Sequence, residues 1–536
     1  MRDPLAAIRL DEHAALVTVQ LGIDHVHARD DIGRFDGRHH SSFYSRLGLS
    51  PGSFGSNAHG SLCQYPLVEI AWADGRVDLR CPVCTRTKSQ RLIARVPVEW
   101  QSPQVEIARC ADCNAVVLGA QLPPSWYTDA DWDIYVEQIA GIEAIADMLV
   151  QSGMRRGARM LDVGCGYGFA LDVARFLFDA EGIGLDPSVA AERGRRELDL
   201  DIRPGTLDDA FPVDEHFDVI FSSEVIEHVA DPHEYLAAMR LRLSPDGIVV
   251  LTTPDASVVE PDTPWTLLYP VLSVGLHEFL VDASGLERLL TDAGFAAKVW
   301  PVGPSLHAVA SLDPAALNKV RPDERAALGD LIRYCETRAA RAEPGSALAL
   351  GMAMRQLKWM VRDGDFGRVA DCLPLLRDAV QRRHSIDIDA PLSVVGDPEV
   401  AAVMTGIFHN LGAVHLWHER RPKPAAACFT AAAWCGRAQW DRYGHYADPE
   451  TPIYEALART ELAVVMVQTA PKRVDAELDA LDEAVARGAG TDALAAEAHR
   501  RVDAERRMYG SRARRAYRRA RRAAGKVKRK LRRLRS

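Results

Sequence analysis

A chain of 536 residues with 47% hydrophobic and 26% charged side chains is long enough for roughly two to four domains, each able to bury a core. It shows no apolar run of signal-peptide length at its start, no stretch near the ~18 apolar residues of a membrane span, and ten cysteines that read as reduced thiols or metal ligands rather than a disulfide framework, so a cytoplasmic protein is expected. The net charge of −9 hides a division: residues 511–536 hold fourteen Lys or Arg and no acid, which leaves the body at −23.

Residues 1–77 form an extension with two stretches of strand-like alternation, Ala15–Gln20 and Leu67–Trp72. The polar segment between them, with His39 and His40, reads as loop and receives no role. Residues 78–125 carry two knuckles, Cys81-Pro-Val-Cys84 and Cys110-Ala-Asp-Cys113, separated by 25 residues. Each knuckle folds two thiolates onto one side of a turn, and two knuckles make a tetrahedral sulfur site suited to Zn²⁺. The run Arg91–Pro97 between them reads as a strand. The module resembles a zinc ribbon, and with all four positions filled its metal is structural. Four reduced cysteines without metal are the bland alternative. The segment after Cys113 lacks the glycine usual there.

From Trp132 to Gln151 the apolar spacing predicts a helix that covers the mouth of a cleft. Strands and helices then alternate: 160–163, 168–179, 182–186, 188–198, a short strand near 201–203, 217–222, 231–242 and 247–253, then helix 284–294 and a last strand pair, 296–300 and 307–311. That alternation implies α/β architecture, a doubly wound, mostly parallel seven-stranded sheet with ligands at the carboxyl ends of its strands. The proline-rich stretch 254–283 is either a substrate lid or a packed connector.

The first strand, Met160-Leu-Asp-Val163, stops at Gly164, Gly166 and Gly168, and a helix follows. Such glycines let backbone approach a ligand closely, and the helix start offers unpaired N–H groups. The second strand ends at Asp186, 24 residues after Asp162, placed to accept from ribose hydroxyls. The spacing is G-x-G-x-G rather than the G-x-G-x-x-G of nicotinamide-dinucleotide domains. In order, Asp162-Val-Gly-Cys-Gly-Tyr-Gly168, Gly184-Leu-Asp-Pro187, Phe217–Val229 and Leu243–Leu251 resemble the motifs of class I S-adenosylmethionine-dependent methyltransferases, over roughly residues 130–312 of a domain expected at 126–312. The Glu-His after the fourth strand gives the small-molecule flavour. With cysteine knuckles ahead of it, the arrangement resembles bacterial methyltransferases of sugar or glycan modification.

The resemblance implies roles. Asp162, Gly164, Gly166, Gly168, Asp186 and Ser223 bind S-adenosylmethionine, and Leu207 meets the adenine through its backbone, flanked by Thr206 and Asp208. The catalytic candidates are Glu227, His228 and His277. A histidine can take a hydroxyl proton near neutral pH while a carboxylate orients it. For His228 the bland alternative is a hydrogen bond closing a turn, and for His277 packing within the insertion.

Residues 313–510 turn alanine- and leucine-rich. Phe408, Leu411, Gly412, His415, Cys428 and Ala431 fall at offsets resembling a tetratricopeptide repeat, and Leu357–Ala370 and Ala456–Ala486 read as further helix-turn-helix units. An all-α domain that binds a protein partner or packs on its own chain is expected. The tail 511–536, if helical, carries a thin apolar stripe among arginines, which suits an anionic membrane surface or a solvated tail. Nucleic acid is disfavoured by the acidic body. The sequence thus reads as a methyltransferase of a sugar, nucleotide sugar or glycan, cytoplasmic or peripheral on the inner membrane face. The alternatives are an RNA methyltransferase and a non-enzymatic membrane-associated scaffold with a degenerate fold.

Overall fold

The apolar runs of the sequence become the inner strands of two sheets. The computed structural model describes residues 70–98, 101–119, 129–139, 141–205, 207, 215–263, 265–443, 450–487 and 492–510. Strand Ala15–Gln20, the loop histidines, Thr206, Asp208 and the basic tail lie outside the described residues.

The cysteine module is built from β1 (Ala71–Arg80), β2 (Thr87–Val98), β3 (Gln101–Arg109) and β4 (Val116–Leu118), each antiparallel to the next. β1 starts at Ala71, so the boundary expected after residue 77 falls inside a strand. The expected continuous helix from Trp132 is instead three pieces: α1 (Asp129–Ile134), a π turn (Tyr135–Ile139) and α2 (Ile142–Gln151). Gly141, in the left-handed region at φ 56°, interrupts the helix before α2.

The second sheet follows the predicted alternation to within a few residues. Its elements are β5 (Arg159–Val163), α3 (Phe169–Phe178), β6 (Glu181–Leu185), α4 (Val189–Leu198), β7 (Asp201–Arg203), β8 (Phe217–Ser223), α5 (Pro232–Arg242) and β9 (Leu243–Pro254). The Asp231 side chain caps α5 by accepting from His233 and Glu234 N–H at 3.0 Å, with Pro232 at the first helical position. The insertion holds α6 (Trp265–Leu272) and β10 (Phe279–Leu280). Then come α7 (Ala283–Asp292), β11 (Ala296–Val302) and β12 (Ser305–Ser311). The strand order is β11-β12-β9-β8-β5-β6-β7. β12 runs against both neighbours and the other adjacent pairs are parallel.

The insertion is a packed connector rather than a lid. Leu268, Val271 and Leu272 are buried against Val96, Val105 and Val116 of the cysteine module. Each such side chain contributes about 1.5–3 kcal/mol by leaving water. β10 pairs with β4, Phe279 opposite Val117 and Leu280 opposite Val116, and so becomes the fifth strand of the module's sheet.

Three helices expected in the separate C-terminal domain belong with the sheets. They are α8 (Leu328–Arg341), α9 (Ala347–Asp363) and α10 (Val369–His384), and the described residues as far as Ile386 form one compact unit. The attachment is charged. Arg362 makes a two-pronged contact with Glu143 at 2.6 and 2.8 Å, Arg355 donates to the Val136 carbonyl at 2.9 Å, and Arg338 and Tyr334 both reach the buried Asp172. Buried ions demand such partners, and residues this far apart in sequence carry no local signal of them.

The second unit is helical: α11 (Val403–Ala413), continued by a π turn to His418, α12 (Pro422–Tyr443), α13 (Glu450–Thr469), α14 (Val474–Arg487) and α15 (Asp492–Gly510). Its core holds Phe408, Phe429 and Leu481. A β-carbon on Gly412 would stand 2.6 Å from the Phe429 ring, so the small residue sets how closely α11 and α12 pack.

Candidate functional site

β5 lies between β6 and β8, at the point where the strand order reverses, so its carboxyl end opens a crevice. Asp162 is 2% exposed and one of its carboxylate oxygens has no hydrogen-bond partner. Burial, then the charge of Asp186, holds its carboxyl well above the usual range. An orphaned buried acceptor of this kind fits a ligand ammonium. Gly164 has φ 74°, and a β-carbon there would meet Val225 at 2.5 Å. Gly166, at φ 51°, instead faces open space, which leaves bare backbone for a ligand to approach. Gly168 begins α3, with φ 86°. One Asp186 oxygen accepts the Gly166 N–H at 2.8 Å and the other the Ser188 N–H at 2.7 Å. Asp186 thus ties the end of β6 to the glycine loop, a bond between strand ends that carries no local signal. Tyr135 packs on Phe169 at the start of α3, with ring centres 6.3 Å apart, so the π turn stands over this end of the crevice. Leu207 is buried in the core with Leu185.

Across the crevice, β8 ends in Ser223, whose hydroxyl shares a 2.7 Å hydrogen bond with Thr252. The next residue, Glu224, was not singled out in the sequence. Its φ of 57° is uncommon for a non-glycine residue, and one carboxylate oxygen is buried without a partner. Burial and the Glu227 charge push it well up. The signal available was the Glu-x-x-Glu-His spacing, which sets two carboxylates on one side of a helical turn.

Glu227 is fully buried. Thr253 donates to one of its oxygens at 3.0 Å, and the other has no hydrogen-bond partner. Burial pushes its carboxyl up to about 8, against its backbone and Thr253 hydrogen bonds. The ring nitrogens of His228 and His277 stand 3.9 Å from the unpartnered oxygen. His228 Nδ1 meets the Leu276 carbonyl and His277 Nδ1 the Val271 carbonyl, each at 2.9 Å. A carbonyl only accepts, so both Nδ1 atoms carry the proton and both Nε2 atoms present lone pairs. Burial lowers both imidazoles, so they are neutral. Three acceptors therefore lie within 4.8 Å of one another. A proton, a cation or the O–H of a bound hydroxyl relieves that arrangement. Imidazoles whose far N–H is held by a carbonyl are the form in which histidine binds metal. His277 is packed, 5% exposed, whereas the His228 side chain keeps 38% of its surface open to the crevice.

The cysteines converge as the spacing predicts. Cys81 and Cys113 sulfurs are 3.5 Å apart and those of Cys84 and Cys110 3.6 Å, all four within 4.8 Å. Four sulfurs each ~2.3 Å from a tetrahedral zinc lie about 3.8 Å apart, so the residues fit the ion. The missing glycine is replaced by Asn114, which takes φ 64° itself and donates to Asp282 at 2.8 Å.

The profile of a methyltransferase domain matches residues 138–298. By that match the central domain is a methyltransferase domain. A ubiquinone biosynthesis O-methyltransferase of Cereibacter sphaeroides is 40% identical over 103 residues, 18% of this chain and 42% of that protein. One from Bradyrhizobium diazoefficiens is 28% identical over 166 residues, 30% of this chain and 58% of its own length. The chain spans about half the length of the curated relatives it matches. Among solved structures, an S-adenosylmethionine-dependent methyltransferase of Thermotoga maritima aligns over 34% of this chain and 99% of its own, with 16% identity and a TM-score of 0.26.

Proposed function

We propose that this methyltransferase transfers a methyl group from S-adenosylmethionine to a hydroxyl oxygen of a small molecule of the sugar, nucleotide-sugar or glycan class. The observation that carries the reading is the pairing, on adjacent strand ends, of an orphaned acid and bare glycine loop with three clustered acceptors led by the buried Glu227. The donor supplies a methyl already activated on a sulfonium, so the chain's task is to position the acceptor and remove its proton. Asp162 faces the ammonium of the methionyl part, Gly164, Gly166 and Gly168 form the floor beneath it, Asp186 accepts from the ribose, and Leu207 meets the adenine through its backbone. Ser223 lines the donor end of the crevice. His228, open to the crevice and lone pair outward, takes the hydroxyl proton, while Glu227 and His277 hold its surroundings. The same three side chains fit a divalent cation, which when bound supplies positive charge for an alkoxide. The four cysteines hold a structural zinc, and the helical unit offers a surface for a protein partner.

The relatives named for ubiquinone biosynthesis support a second acceptor class, a phenolic oxygen. Calorimetry with S-adenosylmethionine on wild type and Asp186→Ala, followed by methyl transfer to nucleotide sugars and to catechols, tests both. Saturable binding lost in the variant supports the cofactor site, and a methylated sugar or catechol decides between acceptors. No binding by well-folded, zinc-loaded wild type would remove the enzyme reading.

A further inference from the structure

The cysteine module carries a row of arginines that its own fold does not explain. Arg76 on β1 is the cross-strand partner of Arg91 on β2, and Arg91 is in turn the partner of Arg109 on β3. Like charges directly opposite one another destabilise a sheet. All three line a cleft of about 540 Å³, and Arg288 of α7 reaches into it from the other side. The residues 70–119 hold seven Arg or Lys against five acids, in a body that carries a net −23 once the basic tail is set aside.

The nearby acids are largely committed. Glu260 answers Arg109 at 3.2 Å, Asp112 is held by Arg86 at 3.1 Å, and Asp282 accepts from Asn114, Ser284 and the Gly285 N–H. Arg76 donates to the Ser89 carbonyl and Arg288 makes a long contact, 3.5 Å, with the Cys113 carbonyl. Arg91 has no side-chain partner among the described residues. A zinc tetrathiolate at the knuckles would offset part of this charge, and that is the rival explanation for the row.

We infer that this arginine-lined cleft binds a pyrophosphate-bearing small molecule. Planar guanidinium forks match phosphate oxygens two at a time, and a row of them on successive strands suits two linked phosphates better than one carboxylate. The volume leaves room for the organic part of such a ligand. The site is separate from the strand-end crevice and does not depend on the acceptor reading above.

The test is calorimetric titration of the zinc-loaded full chain with inorganic pyrophosphate and with uridine diphosphate, in wild type and in the Arg91→Ala/Arg288→Ala double variant. Both substituted side chains are exposed. Zinc content and S-adenosylmethionine binding are recorded on each sample. Wild type is expected to bind pyrophosphate saturably, and the double variant about tenfold more weakly or worse, with zinc and S-adenosylmethionine binding kept. Tighter binding of uridine diphosphate than of pyrophosphate would identify a nucleotide as the source of the phosphates; equal or weaker binding, with the same loss in the variant, would identify the bare anion. The inference is overturned by no binding to zinc-loaded wild type, or by undiminished binding in the variant. Loss of zinc from the variant without any pyrophosphate binding to wild type would show that the arginines serve only the thiolates. Should the double variant fold poorly, Arg91→Gln alone gives the same comparison.

Discussion

Glu227 sits at zero exposure with one oxygen bonded to Thr253 and the other facing two imidazole lone pairs. If a divalent cation joins the three, electron paramagnetic resonance should show saturable Mn²⁺ binding to zinc-loaded wild type. Glu227→Gln and His277→Ala should each weaken it by about tenfold or more, the scale on which ligand-sphere changes act. Unchanged binding in both variants would leave a shared proton or a bound hydroxyl as the occupant. Sequence named Glu227 and His228 because Glu-His after a strand is a local pattern, and His277 because it resembles the family's histidine before the last helix. It did not show that His277 arrives beside Glu227, since that depends on the insertion folding back so that Glu278 N–H meets the Glu227 carbonyl at 2.8 Å. Glu224 was passed over although the Glu-x-x-Glu-His spacing marked it, and its positive φ leaves no mark in composition.

The two cysteine knuckles reach elements on both sides of the catalytic candidates. The Val83 carbonyl meets His233 of α5 at 2.7 Å, and β4 passes to β10, where the Leu118 N–H meets the Glu278 carbonyl at 3.1 Å. Removing zinc should therefore loosen residues 276–281, seen as faster amide exchange there, while S-adenosylmethionine affinity stays within about twofold because β5 and β6 share the knuckles' apolar core but none of these hydrogen bonds. Equal loss of cofactor binding would mean the whole unit had unfolded. On α2, Asp147 is buried beside Glu143 and accepts the Ala326 N–H at 2.8 Å, with Arg325 at 3.5 Å. Burial, then the Glu143 charge, raises its carboxyl from 3.8 to about 7. The folded state holds this proton where the unfolded chain releases it, so the stabilisation is complete below pH ~4 and is lost as pH rises through ~7. Asp147→Asn keeps the acceptor for Ala326. It should shrink the fall in unfolding free energy between pH 5 and pH 8 by on the order of 1–3 kcal/mol, measured by urea titration at both values. The alternating elements of the large sheet were legible because each is specified by its own period; the break at Gly141 and the partner of β4 were not, because long-range packing decides them.

At the scale of the molecule, the described residues divide into a unit with both sheets and a helical unit beyond Ile386. Calorimetric melting should give two transitions, and S-adenosylmethionine at about a hundred times its Kd should stabilise one of them by roughly 2.7 kcal/mol and leave the other in place. A single transition moving as a whole would mean the units unfold together. No helix among the described residues is long and apolar enough to cross a membrane. The helical character of 313–510 was legible from its alanine and leucine content, but the allegiance of α8–α10 was not, since it rests on ion pairs such as Arg362 with Glu143. The pairing of Phe279 with Val117 has a further consequence during synthesis. The chain leaves the ribosome from its amino end, so the knuckles can meet their metal early, yet the last strand of their sheet is still untranslated. Until residues 256–280 emerge, β4 offers an open edge and the apolar faces of Val96, Val105 and Val116 lack their cover. A nascent chain paused before that point is the form of this protein most exposed to misassembly, and the one a chaperone would be expected to hold.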